Sequence, residues 1–272
     1  MSVLSGLINE MTNNQIKLKL HFQRFEFKYQ VPLRLAAGII PEFLKYMEWD
    51  PFAKNLPDKS YAVQSLYYDS AGLGCYYQKI SGEKNRKKIR IRFYNDDLKS
   101  ETPVFLEIKR KFDAVVVKDR LPLNYKQCDD LLRNNKTIDL PADENRQATI
   151  NEFLWLKNYN GMMPQNLVIY KRKPLISKID PNFRVTVDYD LKTCLAEWLD
   201  SKRELKPVCP EVAVIEIKFN NILPFWFHQI IRRYNLEQKP FSKYCHSLEV
   251  CRPEIAHKNL AEIYQPQLAG DY

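Results

Sequence analysis

Glycine is scarce in this sequence, and long apolar runs are missing. Only 7 glycines are spread over 272 residues, which excludes a collagen-like chain. No run of about 18 apolar residues occurs, so no segment is predicted to span a bilayer. The N-terminus lacks a basic start followed by a sustained apolar stretch. We therefore expect no secretory signal peptide, and a cytoplasmic location.

Cysteine pairs with the spacing of a redox or zinc motif are also missing. The six cysteines include no Cys-x-x-Cys pair, and a chain of this length can bury a core large enough to fold without disulfides. We therefore expect reduced thiols. Cys245, His246 and Cys251 lie close together in the sequence, but their spacing matches no usual zinc site, so no metal is predicted there.

The sequence does contain a large apolar fraction and an excess of positive charge. Apolar residues make up 45% of the chain, which includes 16 tyrosines and 14 phenylalanines, so a folded core is expected rather than disorder. The 42 Lys and Arg residues exceed the 33 Asp and Glu residues, for a net charge of +9. This excess favours an anionic partner, such as nucleic acid, phosphate or a membrane surface. No linker divides the chain, so we predict one domain, 20–250, between polar tails at 1–19 and 251–272.

Segments with strand and helix patterns follow one another along the chain. Eight segments rich in β-branched or aromatic residues are predicted as strands: 22–31, 62–69, 88–94, 104–111, 115–121, 167–173, 183–190 and 212–219. Helices are predicted at 33–47, from about residue 124, at 143–160, and from Pro224 onward. Eight strands are enough to close a barrel. The prediction is therefore an α+β fold, an eight-stranded antiparallel β-barrel with covering α-helices.

Charged and apolar side chains alternate within the predicted strands. Because successive side chains point to opposite faces of a strand, Glu26 and Lys28 share one face while Phe25 and Phe27 share the other. The same separation recurs in the other predicted strands, where the polar face carries mainly Lys and Arg. A solvated face would more commonly mix both signs to limit repulsion. The pattern therefore predicts a barrel whose charged faces point inward and line a phosphate-binding cavity.

Two other interpretations of the alternation compete with this one. An ordinary antiparallel sheet keeps its apolar face on the core and its charged face in water, which explains any single strand without a binding site. A basic chain with aromatic residues on strands could also bind single-stranded nucleic acid by stacking bases on exposed rings. Here the aromatic residues fall mainly on the face opposite the cations, so we expect no nucleic-acid partner.

Short motifs follow one another along the same strands. They are Arg24-x-Glu26-x-Lys28-Tyr29, Ser65-Leu66-Tyr67-Tyr68-Asp69, Arg90-x-Arg92-x-Tyr94, Phe105-Leu106-Glu107-Ile108-Lys109-Arg110-Lys111, Tyr170-x-Arg172, Arg184-x-Thr186-x-Asp188, Glu216-x-Lys218 and Phe241-Ser242-Lys243-Tyr244. In this order and number, the set resembles the vacuolar transporter chaperone (VTC) domain over roughly residues 20–250. That family belongs to the triphosphate tunnel metalloenzymes, a CYTH-like superfamily.

The resemblance implies a triphosphate tunnel and a metal-dependent phosphotransferase, a polyphosphate polymerase that transfers the γ-phosphate of ATP to a growing inorganic polyphosphate chain. The catalytic residues it implies are Lys28, Arg90, Arg92, Lys109, Lys118, Arg172 and Arg184. The further substrate-binding residues are Lys111, Arg120, Tyr170, Lys218 and Lys243. The implied ligands of a divalent cation, Mn or Mg, are Glu216, Glu26 and Glu107. ATP and polyphosphate are then the expected partners, and a separate membrane protein could receive the product.

One position departs from the wider superfamily, whose hydrolases usually open with Glu-x-Glu-x-Lys. This chain has Arg24 in place of the first glutamate, which removes one metal ligand and disfavours adenylate cyclase or thiamine triphosphatase activity. Two alternative functions stay open. One is an inorganic triphosphatase, in which water replaces the chain end, and the other is a non-catalytic accessory subunit that binds phosphate or polyphosphate.

Overall fold

One antiparallel sheet dominates the computed structural model, which describes residues 24–94, 97–113, 115–140, 143–200, 204–220 and 222–256. Its strands are β1 (Arg24–Pro32), β2 (Met47–Trp49), β3 (Tyr61–Asp69), β4 (Arg86–Phe93), β5 (Pro103–Phe112), β6 (Val115–Asn124), β7 (Met163–Ser177), β8 (Arg184–Leu195), β9 (Lys206–Pro207) and β10 (Val212–Asn220). Eight of them follow the order β1-β10-β8-β7-β3-β4-β5-β6, while β2 pairs with β7 and β9 with β8. These eight strands are the eight that the sequence predicts.

The sheet curls until its two ends approach each other. Glu26 lies on β1 and Lys109 on β5, the seventh strand along the path, yet Glu26 Oε2 and Lys109 Nζ are 3.7 Å apart. Within the described residues, no backbone pairing joins β1 to β6, so side chains rather than a ladder bridge this seam. The α+β fold with eight antiparallel strands is confirmed, as a barrel that is open along one side.

Seven helices surround the sheet in the described part of the chain. They are α1 (Leu33–Leu44), α2 (Pro51–Lys54), α3 (Gly74–Ile80), α4 (Tyr125–Leu132), α5 (Glu144–Asn158), α6 (Phe225–Arg233) and α7 (Lys243–Cys251). Among the residues described, none of these helices is long and apolar enough to cross a membrane.

The apolar side chains of the strands point outward and are covered by helices. Ile91 and Leu106, which pair across β4 and β5, are fully buried in one cluster with Phe153 of α5 and residues of α4. A second cluster joins β1, β8 and β10 to Phe43 of α1 and Phe227 of α6, whose rings stack at 5.5 Å. The two clusters confirm that α1, α4, α5 and α6 cover the convex face. The charged faces are thereby left pointing inward.

Helix α1 is shorter than predicted, because the chain turns at Lys45 and Met47 begins strand β2. Met47 fits the helical spacing in the sequence, but its side chain is buried against the same cluster from a strand instead. The predicted tail at 1–19 lies outside the described residues.

Helices α2, α3 and α7 are additions to the prediction. Helix α7 is capped by Ser242, whose side chain accepts a hydrogen bond from Cys245 N, and it buries Tyr244, Cys245 and Leu248. A serine N-cap ahead of apolar residues four apart is a helix signal that is visible in the sequence. Unlike the covering helices, α7 packs with Tyr67 of the concave face. The helix therefore occupies part of the inside of the open barrel.

Candidate functional site

Strand register places the predicted site residues on the concave face. Directly paired residues of antiparallel strands point to the same side, so a chain of pairs defines one face. Arg90 pairs with Glu107, which pairs with Arg120, and Lys28 pairs with Glu216. The predicted strand residues that share this face are Glu26, Lys28, Arg90, Arg92, Glu107, Lys109, Lys111, Lys118, Arg120, Tyr170, Arg172, Arg184, Glu216 and Lys218. Lys243 joins them from α7.

Glu107 is surrounded by four basic side chains. Its carboxylate is 1% exposed, and Arg90 donates from Nε to Oε2 at 2.7 Å. The other oxygen, Oε1, lies 2.7 Å from both Lys118 Nζ and Arg120 Nε, and Arg92 Nε lies 3.9 Å from Oε2. Both oxygens of Glu107 are therefore occupied by cations.

The cations in this cluster change the ionisation of their neighbours. Burial opposes ionisation of Glu107, but Arg90 and Arg92 outweigh it and hold the pKa of Glu107 well below its usual range. Burial also lowers the pKa of Lys118 to about 7, with Glu107 opposing this shift and Arg90 adding to it. Tyr67, whose hydroxyl accepts a hydrogen bond from Arg90, has its pKa lowered by the arginines against the effect of burial. The cluster therefore concentrates positive potential around a single carboxylate.

A second ionic cluster forms around Asp188 on β8. Arg172 binds both carboxylate oxygens, from Nε at 2.7 Å and from Nη2 at 2.8 Å. Lys243 Nζ lies 2.7 Å from Oδ2, and its ammonium also sits over the ring of Tyr170 at 4.7 Å. Burial raises the pKa of Asp188, but Arg172 and Lys243 overcome this and leave the pKa below its usual value. Asp188 thereby links α7 to the strands of the concave face.

Glu26 and Glu216 form a third cluster, in which three of the four ion pairs are longer than those of Glu107 with Arg90, Lys118 and Arg120. Lys28 Nζ lies 3.2 Å from Glu26 and 3.8 Å from Glu216, and Lys218 lies 2.5 Å from Glu216. Lys109 reaches Glu26 at 3.7 Å. Burial opposes ionisation of Glu216, yet Lys218 and Lys28 hold its pKa well below the usual range. Both carboxylates are therefore available as anions.

The carboxylates differ in how well they fit a divalent cation. Among the described residues, no group of three or more His, Cys, Asp or Glu side chains forms a ready-made metal site. Magnesium is often held by only one or two carboxylates together with substrate phosphates. Glu26 and Glu216 fit that arrangement, because both lie within 4 Å of Lys28 and three of their four ion pairs are longer than a tight charge-assisted hydrogen bond. Glu107 does not fit it, because four cations already bind its oxygens.

Two predicted residues lie away from these clusters. Arg184 is exposed at the start of β8 and donates to Pro181 O at 3.3 Å. Lys111 lies at the far end of β5, beside Arg86. For neither does the described structure show a carboxylate within ion-pair distance, so their charges remain uncompensated at the rim.

The sequence did not predict three further residues as members of the site, namely Lys88, Thr186 and Asp69. Lys88 faces inward and lies 4.9 Å from the ring centre of Tyr244, and Thr186 pairs with Glu216. Asp69 accepts hydrogen bonds from Cys75 N and Tyr76 N at the start of α3, and from Tyr244 Oη at 2.6 Å. The first two follow from strand alternation, but the role of Asp69 as an anchor between α3 and α7 depends on contacts far apart in sequence.

This chain is similar to known proteins over most of its length. The sequence profile of a family described as the VTC domain matches residues 23–252. The protein named "Vacuolar transporter chaperone complex subunit 4" is 24% identical in Trypanosoma cruzi (strain CL Brener) over an alignment of 271 residues, and 22% identical in Trypanosoma brucei brucei (strain 927/4 GUTat10.1) over 256 residues. These alignments cover 84% and 81% of this chain but 34% and 32% of those proteins. The chain thus spans about a third of the length of the curated relatives it matches.

Among solved structures, one similar fold is a Bacillus halodurans protein provisionally described as an adenylate cyclase. It is 12% identical, with a TM-score of 0.46, over 81% of this chain and 95% of that chain.

Proposed function

The chain belongs to the VTC domain family, and from this premise we propose that it is a polyphosphate polymerase, a phosphotransferase that moves the γ-phosphate of ATP onto inorganic polyphosphate. The observation that supports this most is the convergence of basic side chains on the concave face, including Arg90, Arg92, Lys118 and Arg172. A linear polyanion held in a confined space needs several fixed cations along its length. The open barrel supplies them on facing strands.

The basic residues differ in what they offer to phosphate. An arginine can donate two parallel hydrogen bonds to phosphate oxygens, whereas a lysine supplies a compact point charge. Arg172 already makes such a paired contact with the carboxylate of Asp188. We interpret Asp188 and Glu107 as counterions that keep the cations in place and that incoming phosphates would partly replace.

In the proposed reaction, a terminal phosphate oxygen of the chain attacks the γ-phosphorus of ATP. A new P–O–P bond forms, the bond from the γ-phosphorus to the β,γ-bridging oxygen breaks, and ADP leaves with the electron pair. The attacking oxygen is already ionised near neutral pH, so no general base is required. The task of Arg90, Arg92 and Lys118 is to align the phosphates and to stabilise the charge that develops on their oxygens.

Glu216 and Glu26 would hold a divalent cation, Mn or Mg, against the phosphates. When bound, such a cation offsets negative charge on phosphate oxygens. Lys28 bridges the two carboxylates and so orients both of them toward the inside of the barrel.

We further propose that partner proteins complete this activity in the cell. The two trypanosomatid relatives carry the name of a complex subunit and are about three times as long as the matched region. On this proposal, the domain works at the cytoplasmic side of an assembly whose membrane-bound member receives the polyphosphate.

The test is to incubate the purified protein with ATP and Mn²⁺ and to separate the products by size on a gel. Polyphosphate chains should appear, and Arg92→Ala should nearly abolish them, because the guanidinium is buried on the concave face and only loosely paired, 3.9 Å from Glu107. Lys126→Ala removes one positive charge from an exposed position on α4 and serves as the control. Release of orthophosphate without chain growth would indicate a triphosphatase, and polyphosphate binding without turnover would indicate an accessory subunit.

A further inference from the structure

Four apolar side chains lie exposed at one end of the sheet. Ile179 is 90% exposed, Ile222 82%, Phe225 75% and Tyr46 41%. We call these four residues the apolar rim. Apolar residues scattered singly are ordinary on a protein surface, whereas a group of them marks a surface that contacts another molecule.

The strand order brings the segments of the apolar rim to one edge of the sheet. Strands β8 and β10 are antiparallel neighbours, so the start of β8 lies beside the end of β10. Ile179 lies in the turn that leads into β8, and Ile222 follows the end of β10. Both side chains therefore lie at the same edge.

Trp226 of α6 connects the other two rim residues to this edge. Its ring stacks on that of Tyr46 at 4.5 Å, and Phe225 precedes it on the helix. The backbone amide of Lys178, next to Ile179, donates to Tyr46 O at 3.2 Å. The apolar rim is therefore grouped around one stacked pair of rings.

The outer side of α6 combines an aromatic ring with a positive charge. Phe227 and Ile230, three residues apart, are buried in the core, which fixes the inner side of the helix. Phe225 and Arg232, seven residues apart, lie together on the opposite side and are exposed. Packing within the domain therefore does not account for Phe225.

The segments that carry the apolar rim have an excess of positive charge. Residues 42–46, 178–183 and 222–233 contain two acidic residues, Glu42 and Asp180, and four basic residues, Lys45, Lys178, Arg232 and Arg233. Glu42 pairs with both Lys45 and Arg233. Lys178 Nζ instead donates to two backbone carbonyls, and among the described residues neither Lys178 nor Arg232 has a carboxylate within ion-pair distance. These two charges are available to an anionic partner.

We propose that the apolar rim is a membrane-contact surface that inserts into the headgroup region of a bilayer containing anionic lipids. A lipid surface accepts separate protruding side chains, whereas a protein partner needs a matching pocket for each of them. Trp and Tyr are enriched at membrane interfaces, and basic residues beside them are attracted to anionic headgroups. Tyr46 and Trp226 provide the first feature, and Lys178 and Arg232 provide the second.

This surface goes beyond the proposed function, because contact with lipid requires neither ATP nor polyphosphate. It also differs from binding to a membrane-bound partner protein, since the domain itself touches the bilayer. Arg184 begins β8 at the same edge of the sheet. Docking by the apolar rim therefore places this end of the concave face beside the membrane.

The test is sedimentation of the purified protein with protein-free vesicles, without nucleotide or metal. The wild type should sediment with vesicles of phosphatidylcholine and phosphatidylserine, and less with vesicles of phosphatidylcholine alone. Phe225→Ser and Ile179→Ser should each weaken binding by about tenfold, because each removes a large apolar side chain from the lipid contact. Arg232→Gln should weaken binding by about fivefold, and only on vesicles that contain phosphatidylserine.

Tyr159→Ser is the matched control, since Tyr159 is also an exposed aromatic residue. It is 81% exposed and lies between α5 and the start of β7, whereas the apolar rim lies at the other end of β7. This variant should bind vesicles as the wild type does. Melting temperatures of all four variants should match that of the wild type, because the substituted side chains are exposed.

A second measurement tests insertion directly. Phe225→Trp should bind vesicles as the wild type does, and lipids brominated in their acyl chains should quench its fluorescence more than that of the wild type. Unchanged binding in Phe225→Ser and Ile179→Ser, or no binding of the wild type to either kind of vesicle, would overturn the proposal. A wild-type dimer that Phe225→Ser converts to a monomer, without vesicle binding, would identify a second copy of this chain as the occupant instead. If vesicles are bound but no polyphosphate is made from ATP, the proposed function fails and the membrane-contact surface stands.

Discussion

Replacing Glu107 by Gln separates two roles that the residue could have, a metal ligand or a counterion for four cations. The substitution keeps the shape of the side chain and removes only its charge. Because Glu107 is 1% exposed and contacts Arg90, Arg92, Lys118 and Arg120, the variant leaves their charges uncompensated. A counterion role therefore predicts a loss of stability even without metal, whereas a role confined to metal binding does not.

The size of that loss follows from burial. Breaking a buried ion pair by removing one partner costs about 3–5 kcal/mol. Lys118 and Arg120 are 37% and 38% exposed, so water screens their repulsion and the lower end applies, about 3 kcal/mol. For a domain of this size, about 3 kcal/mol lowers the melting temperature by roughly 6–12 °C.

The assay is thermal unfolding without ligand and with increasing tripolyphosphate, in metal-free buffer. Phosphate can replace the lost negative charge, so tripolyphosphate should raise the melting temperature of the Glu107→Gln variant by more than it raises that of the wild type. The matched control is Glu26→Gln, a side chain 30% exposed with longer ion pairs, which should lose at most about 1 kcal/mol. A Glu107→Gln protein as stable as the wild type but unable to bind Mn²⁺ would refute the counterion role.

Burial lowers the pKa of Lys118 from its usual 10.5 to about 7, so the free protein gains stability as pH rises from about 7 to 10.5. A bound polyanion favours the charged form of Lys118, so Lys118 should take up a proton when the polyanion binds in this pH range. Calorimetry of tripolyphosphate binding in two buffers of different ionisation enthalpy checks this, and Lys118→Arg should remove the uptake. Asp69→Ala should cost about 3 kcal/mol in denaturant unfolding because several buried donors lose their acceptor, whereas Asp97→Ala at an exposed position should change nothing. Phe43→Ala, at 0% exposure, should cost about 3–5 kcal/mol and leave the tripolyphosphate affinity of the folded protein unchanged, while Phe52→Ala at 84% exposure should be neutral.

Much of the sheet could be predicted from the sequence, because a period of two is a local property. Glu26 and Lys28 alternate with Phe25 and Phe27, and one face of β1 is polar for that reason alone. Local patterns also located α4 and α5. The end of α1 was misplaced because Met47 continues the helical spacing, although the chain there forms an edge strand beside β7.

The sequence could predict which residues form the candidate site but not how those residues are arranged. Alternation selects which side chains face inward, and so the cations of the concave face were identified. It does not show that Arg90 and Lys118 occupy both oxygens of Glu107, while one oxygen of Glu216 has a partner only at 3.8 Å. The distinction between a counterion and a metal ligand depends on register between strands, and register is set by turns and packing.

The sequence by itself determined the eight main strands, which of their faces is cationic, and which family the motifs resemble, because each of these depends on residues that are neighbours in the sequence. Only the tertiary structure determined which side chains contact those strand faces. It brought Glu26 to Lys109 across the seam of the open barrel and placed Lys243 against Asp188 from a helix inside it. These contacts join segments far apart in the chain, and they arise from the curl of the whole sheet rather than from any local pattern.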